Sequence, residues 1–253
     1  MRFNRRILLT KNNSTNRFVQ IDVFRGVAII AMIFFHFTFD LSYFGIIPSD
    51  TIHRPNWVLF QKLIAGSFIF LAGISLHLCH GSGIRWSHVK KRLLELGGAA
   101  FGISFTTIFV FGDFWIKFGI LHCILVCSVM GLVYVHCSFS VILGITVALG
   151  AFVFFVRTPI DLPVEFQWLI ETQLPHYSLD YSPVIPWILV FSCGILSSKA
   201  KSVLNLNLPS FHKAFWDTTV ISIFAFIGRS SLVIYIIHQP ILFLSFYVYK
   251  YLT

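Results

Sequence analysis

A chain of 253 residues that is 57% apolar and only 11% charged carries too little charged surface for a soluble domain, in which roughly a quarter of the residues are charged. Its net charge of +9 comes from basic residues gathered between apolar runs. That pattern marks membrane topology and argues against nucleic acid as a partner, which calls for basic residues along one face beside exposed aromatics. The five cysteines, Cys79, Cys123, Cys127, Cys137 and Cys193, lie in or beside apolar runs at no metal-ligand spacing. They read as small core residues, and no metal is expected.

Residues 1–20 are polar and basic, with Arg2, Arg5, Arg6, Lys11 and Arg17. They lack the short apolar stretch of a cleavable signal, so the first apolar run is expected to stay as an anchor. Seven runs follow, at about 23–46, 57–79, 93–112, 118–136, 139–157, 183–199 and 229–250. Each approaches the ~20 residues that a spanning helix needs. The expected fold is an all-α polytopic bundle of about seven transmembrane helices, with 1–20 as a basic cytoplasmic segment and 21–253 as a single membrane domain. Pro48, Pro159, Pro163, Pro183 and Pro209 mostly fall in connections, whereas Pro240 falls inside the last span and should kink it. Gly66, Gly73, Gly97 and Gly98 permit close helix contact within or between chains, which leaves room for a homo-oligomer.

Orientation follows from Lys and Arg. Besides the leading segment, the loop after the second span holds Arg85, Lys90, Lys91 and Arg92, and the loop before the last span holds Lys199, Lys201 and Lys213. The opposite loops carry Asp50, Asp113, Asp161, Glu165, Glu171 and Asp180. Positive residues stay inside, so the N-terminus is expected in the cytoplasm and the C-terminus outside. Residues 158–182 become the largest outer loop, with Trp168, His176 and Tyr177 to line a site.

Ionisable residues at membrane depth are costly and mark function by default. In the first span Asp22, Arg25, His36 and Asp40 fall within about 60° of one another at 100° per residue, forming a polar stripe along the helix. Asp22 and Arg25 also suit an ion pair at a helix start. In the last span Ser231, Tyr235 and His238 share a face, and Pro240 frees a backbone carbonyl one turn before it, as often happens at a cavity. Lys62, one turn into the second span, is expected to reach outward.

Two chemical ends emerge. Arg25, Lys90, Lys91, Arg92 and Arg229 collect at the cytoplasmic face, where they suit phosphates. His53, His122, Asp40 and Asp180 collect toward the outer face, where imidazoles and carboxylates handle protons. A phosphate-bearing donor inside and an acceptor outside fit this arrangement, and so does a proton-coupled transporter.

The ordered segments IDVFRGVAIIAMIFFHFTFDLSYFG (21–45), FIFLAGISL (68–76), KRLLELG (91–97), FGILH (118–122), SLDYSPVIPW (178–187) and IGRSSLVIYIIHQPIL (227–242) resemble the bacterial side of the heparan-α-glucosaminide N-acetyltransferase catalytic-domain family. The first and last motifs are the specific ones, and the D-x-x-R-G start is similar to that of the wider membrane acyltransferases that modify surface glycans. The resemblance implies an inner-membrane enzyme that moves an acyl group, most simply acetyl, from cytosolic acetyl-CoA to an extracytoplasmic sugar or glycan.

The lysosomal branch of the family points to a histidine between the first two spans, here His53. The wider acyltransferases point to Arg25 and His36. The two analogies leave the acting histidine open, with Asp40 and His238 beside the candidates and His122, Asp180 and Tyr181 on the acceptor side. With no large luminal domain ahead of the first span, and fewer spans than the lysosomal enzymes, heparan-type acceptors are not expected. The alternative is a proton-coupled transporter or flippase for a small molecule or glycan precursor. Such proteins often show paired half-domains, and no internal repeat is visible here.

Overall fold

The computed structural model describes residues 19–155, 169, 180–203 and 218–252. The leading basic segment lies outside them, as do Trp168, His176 and Tyr177. The described residues form eight α-helices, in order α1 (Val19–Tyr43), α2 (Pro55–His80), α3 (Trp86–Phe111), α4 (Ile120–Tyr134), α5 (Phe139–Phe155), α6 (Val184–Val203), α7 (Thr219–Arg229) and α8 (Ser231–Leu252). Five of them, α1, α2, α3, α6 and α8, are long and apolar enough to cross a membrane. Two more of the expected spans, α4 and α5, are shorter apolar helices. The described residues form no strand beyond one isolated bridge, Phe118 with Tyr181. Phe101, Phe105, Phe109, Val133 and Leu244 are exposed on the outside of the bundle. So much outward apolar surface belongs against lipid.

Contacts fix the helix directions. Arg25 meets Ser75 while Phe34 and Phe35 meet Trp57, so α1 and α2 are antiparallel. Gly66 faces Trp187 and His77 bonds Ser198, so α2 and α6 run parallel. One end of the bundle therefore carries Arg25, His80, Arg85, Lys90–Arg92, Lys199 and Arg229. The other carries Tyr43, His53, Phe111 and Asp180. One core packs Ile69, Leu76, Cys123, Cys127, Phe191 and Ile195 between α2, α4 and α6. A second packs Ile29, Met32, Phe35 and Ile64 between α1 and α2, with Ile227 and Ile234 against it. Cys123 and Cys127 are free thiols in the first core.

The sequence reading places a loop where α7 stands. With 11 residues this helix is about 16 Å long at 1.5 Å per residue, half of a bilayer core of ~30 Å. Thr218 caps it by accepting from the Ile221 amide. It packs antiparallel to the first half of α1 with almost no space between backbones. A Cβ at Gly26 would strike the Phe224 carbonyl, and one at Gly228 would strike the Asp22 carbonyl. Gly73 and Gly194 make the same reciprocal approach between α2 and α6, against the carbonyls of Phe191 and Phe70. Lipid does not drive helices together by hydrophobic burial, so close packing of small residues does much of that work. Of the four glycines expected to make close contacts, Gly73 does so. Gly66 makes an ordinary contact with Trp187, Gly97 barely reaches Leu125 and Gly98 faces open space.

Gly228→Ala is expected to cost about 1–3 kcal/mol through overpacking, because α1 and α7 must separate. Gly98→Ala should be neutral or gain up to about 1 kcal/mol in helix propensity. Thermal unfolding of the purified protein compares them, and equal midpoints would refute the assignment of α1–α7 as the tightest contact.

Candidate functional site

Arg229 ends α7 and Ser231 begins α8, so the chain reverses at the basic end and α8 runs back alongside α1. That reversal sets residues 36–44 of α1 against residues 238–246 of α8. The rings of His36 and His238 lie 4.9 Å apart, and Tyr43 meets Phe243 at 5.5 Å. Gln239 donates from Nε2 to Asp40 Oδ1 at 2.8 Å.

The hydrogen bonds around His238 define its chemistry. Nδ1 lies 2.7 Å from the Tyr235 carbonyl oxygen. A carbonyl only accepts, so Nδ1 carries the proton and Nε2 of the neutral ring keeps its lone pair. Among the described residues, four buried side-chain polar atoms have no hydrogen-bond partner: His238 Nε2, Asp40 Oδ2, Gln239 Oε1 and Arg92 Nε. Leaving such an atom unpaired costs about 1–3 kcal/mol. Three of the four meet at one α1–α8 junction, as befits a place built to hold a polar group.

Beside the junction lies a cavity of about 1090 Å³, walled by α1, α2, α3, α8 and the segment entering α6. His36, His238, Gln239, His53, Asp180 and Tyr181 all line it. Its volume lies at the top of the ~300–1,000 Å³ range of small-molecule sites. Lys62, expected to reach outward, is exposed at its rim, and Gln61, Tyr235 and Trp187 add to its lining. Asp40 is not part of that lining. It accepts from Gln239, and the imidazole of His238 is oriented by the Tyr235 carbonyl instead.

His122 and Asp180, expected on the acceptor side, hold the start of α4. His122 Nδ1 accepts the Gly119 amide at 3.2 Å, and Nε2 lies 3.4 Å from Ser104 Oγ, which itself donates to the Ile116 carbonyl. Asp180 Oδ2 accepts the Ile120 amide at 3.0 Å, and Oδ1 accepts from Ser182 at 3.2 Å. A carboxylate at a helix N-terminus satisfies orphan amides and opposes the helix dipole. These side chains shape the cavity wall through structural bonds, and Tyr181 lines the cavity next to them.

The basic end is a separate cluster. Arg25 donates from Nη2 to Ser75 Oγ at 2.6 Å and pairs with Asp22 at 3.7 Å. Arg92 lies within electrostatic reach of Arg25 and Cys79. Lys90 and Lys91 are exposed, with Lys91 beside Glu95 at 3.9 Å. Arg229 is exposed at the end of α7, next to the Gly228 that abuts Asp22. None of these five basic residues lines the large cavity. Eleven residues separate Arg25 from His36, about 16 Å of helix. No group of three His, Cys, Asp or Glu side chains suited to a metal occurs among the described residues.

The molecule is thus a multi-pass helical membrane protein with a buried histidine–carboxamide junction and a distant arginine cluster. The model of the family described as heparan-alpha-glucosaminide N-acetyltransferase, catalytic, matches residues 17–240, and the chain belongs to that family. No curated protein and no solved structure matches it.

Asp180 supplies a pH test. Burial pushes its carboxyl above the usual carboxylate range, opposed in part by the bonds from Ile120 and Ser182. The folded chain therefore holds this proton more tightly than the unfolded chain, so stability falls as pH rises from the ordinary carboxylate pKa through the raised one. Asp180→Asn keeps a carbonyl oxygen for Ile120 and is expected to flatten that fall. Melting temperatures between about pH 4, near the ordinary Asp pKa, and neutrality measure the slope; an unchanged slope in the variant would count against this role.

Proposed function

We propose that this protein is a transmembrane acetyltransferase that carries an acetyl group from cytosolic acetyl-CoA to a sugar or glycan acceptor on the other side of a bacterial inner membrane. The observation that carries the reading is the bare Nε2 of His238, on a ring that lines a large cavity together with His36 and Gln239, whose Oε1 is also without a partner. Membership of an N-acetyltransferase family supplies the reaction class.

The basic end faces the cytoplasm in this reading, as the distribution of Lys and Arg suggests. Arg25 and Arg92 hold the phosphates of the donor there, and the buried, unpaired Nε of Arg92 fits an anion. Arg229, Lys90 and Lys91 add an exposed positive rim. From that cluster the pantetheine arm has about 16 Å of α1 to cover before the thioester reaches His36.

His238 Nε2 removes a proton from the acceptor amine or hydroxyl as it attacks the thioester carbonyl. The new N–C or O–C bond forms, the C–S bond breaks, and the departing CoA thiolate takes that proton from the imidazolium. The products are the acetylated acceptor and free CoA. Gln239 Oε1 accepts a hydrogen bond from an acceptor hydroxyl, and Asp40 behind it holds the carboxamide through Nε2. His36, in ring contact with His238, either shares the proton or receives the acetyl group in a covalent route. His53, at the outer mouth, guides the acceptor in.

His238→Ala is expected to lower kcat for acetyl transfer by about 10²-fold or more, the usual contribution of a general base, while acetyl-CoA binding by calorimetry stays intact. Arg25→Ala and Arg92→Gln should weaken that binding and leave the pH profile of turnover unchanged. Absence of acetyl-CoA binding by folded wild-type protein would refute the donor and favour the transport alternative. Full activity in His238→Ala would refute the base.

A further inference from the structure

The shape of the cavity narrows the acceptor. Its two outer walls are α3 and α8, which bury least of the five membrane-length helices. Only Val89, Ala100 and Ser104 are buried on α3, and only His238 on α8. Cavity-lining residues of these two helices are exposed: Val110 is 53% exposed, Leu244 62% and Tyr247 61%. Among the described residues, little closes the seam between the basic end and the rings of Phe111 and Phe243, which touch at 5.7 Å. The cavity is therefore open toward lipid along α3 and α8. The seam is lined by Gly102, Ile103, Val110, Leu244 and Tyr247. The Thr106 hydroxyl donates to the Gly102 carbonyl, and the Thr107 hydroxyl donates to the Ile103 carbonyl and accepts the Ile116 amide, so both are satisfied within the protein.

A water-soluble sugar gains nothing from such a wall, and the donor phosphates have their own cluster at the far end of α1. Resting on the acetyl-transfer reading, we propose that the acceptor is membrane-borne. Its nucleophilic head sits among His36, His238 and Gln239, and its hydrocarbon chain lies in the seam between α3 and α8, entered sideways from the bilayer. The polar atoms without partners and the open apolar seam then serve the two halves of one amphipathic molecule.

Dodecyl glucosaminide with a diazirine in its alkyl chain is the probe, with the full chain in nanodiscs of phosphatidylethanolamine and phosphatidylglycerol. Photolabelling mapped by mass spectrometry is expected to be saturable and confined to α3 and α8 around residues 103–110 and 236–247. Dodecyl glucosaminide should compete, and glucosamine should not. A Cβ at Gly102 or at Gly98 meets open space, but only Gly102 lines the cavity. Gly102→Phe should therefore cut labelling several-fold, and Gly98→Phe should leave it unchanged.

With labelled acetyl-CoA, the dodecyl acceptor should show a KM at least about tenfold below that of the ethyl analogue, because each methylene removed from water strengthens binding a few-fold. Unsaturable labelling over the whole lipid-facing surface, equal in Gly102→Phe, overturns the proposal. So do cross-links from α3 of one chain to α8 of another with no probe in the seam, which would assign the face to a second copy. Equal turnover of glucosamine and the dodecyl acceptor overturns the membrane-borne acceptor and leaves acetyl transfer standing. Saturable seam labelling with no transfer to any acceptor leaves the chain site and sinks the acetyl-transfer reading.

Discussion

The contact of Gly228 with the Asp22 carbonyl governs the rest of the site. Because neither Gly26 nor Gly228 has a side chain, α7 reaches the backbone of α1 and ends against its first turn. The chain then has one residue, Ser230, in which to turn back, so α8 must climb the same helix that α7 descended. The reversal returns the chain alongside α1, where His238 meets His36 and Gln239 meets Asp40. A half-length helix is thus a register device. It fixes where the polar positions of α1 and α8 coincide, and the packing of α2 on α6 through Gly73 and Gly194 holds the opposite wall in the same way.

That register has an electrostatic consequence. In a bilayer core, polar groups must find partners inside the protein. The bundle satisfies most of its hydroxyls by bonding them to carbonyls one turn back, as in Ser67, Ser75, Ser128 and Thr146. Against this habit, the unsatisfied atoms of Asp40, Gln239 and His238 stand out as a group. A bound polar group would recover their cost. Arg92 repeats the pattern near the other end of α1. In the proposed reaction the first place would meet the thioester of the donor and the second its phosphates.

Much of this was legible in the sequence. Composition and run length gave the helical membrane fold, and the 100° repeat gave the polar stripe of α1. The family resemblance carried by the first and last motifs agrees with the match over residues 17–240. Helix α7 was not legible, because its 11 residues fall below the length by which a span announces itself and its apolar character merges with the run that follows. Nor were the consequential glycines. Gly26, Gly194 and Gly228 look no different in sequence from Gly97 and Gly98, and only the partner helix distinguishes a glycine that meets a carbonyl from one that meets open space. Gln239 was visible as a polar residue next to His238 and Pro240, but its bond to Asp40 spans 199 positions, beyond any local pattern.

The histidines show why residue type alone leaves the acting group open. His122 and His238 both sit near the large cavity, and each has one nitrogen fixed by backbone. At His122 the backbone partner is the Gly119 amide, a donor, so Nδ1 must accept and the proton moves to Nε2, where Ser104 receives it. Both nitrogens are then committed. At His238 the backbone partner is a carbonyl, so the proton is pinned on Nδ1 and the free lone pair is left on Nε2, on a ring that lines the cavity. His53 is exposed and lines the mouth, where water levels any advantage of position. The difference between a histidine with both nitrogens committed and one with a free lone pair therefore comes down to whether the nearest backbone atom gives or takes a hydrogen bond, and in this bundle that is decided by the local turns of α4 and α8.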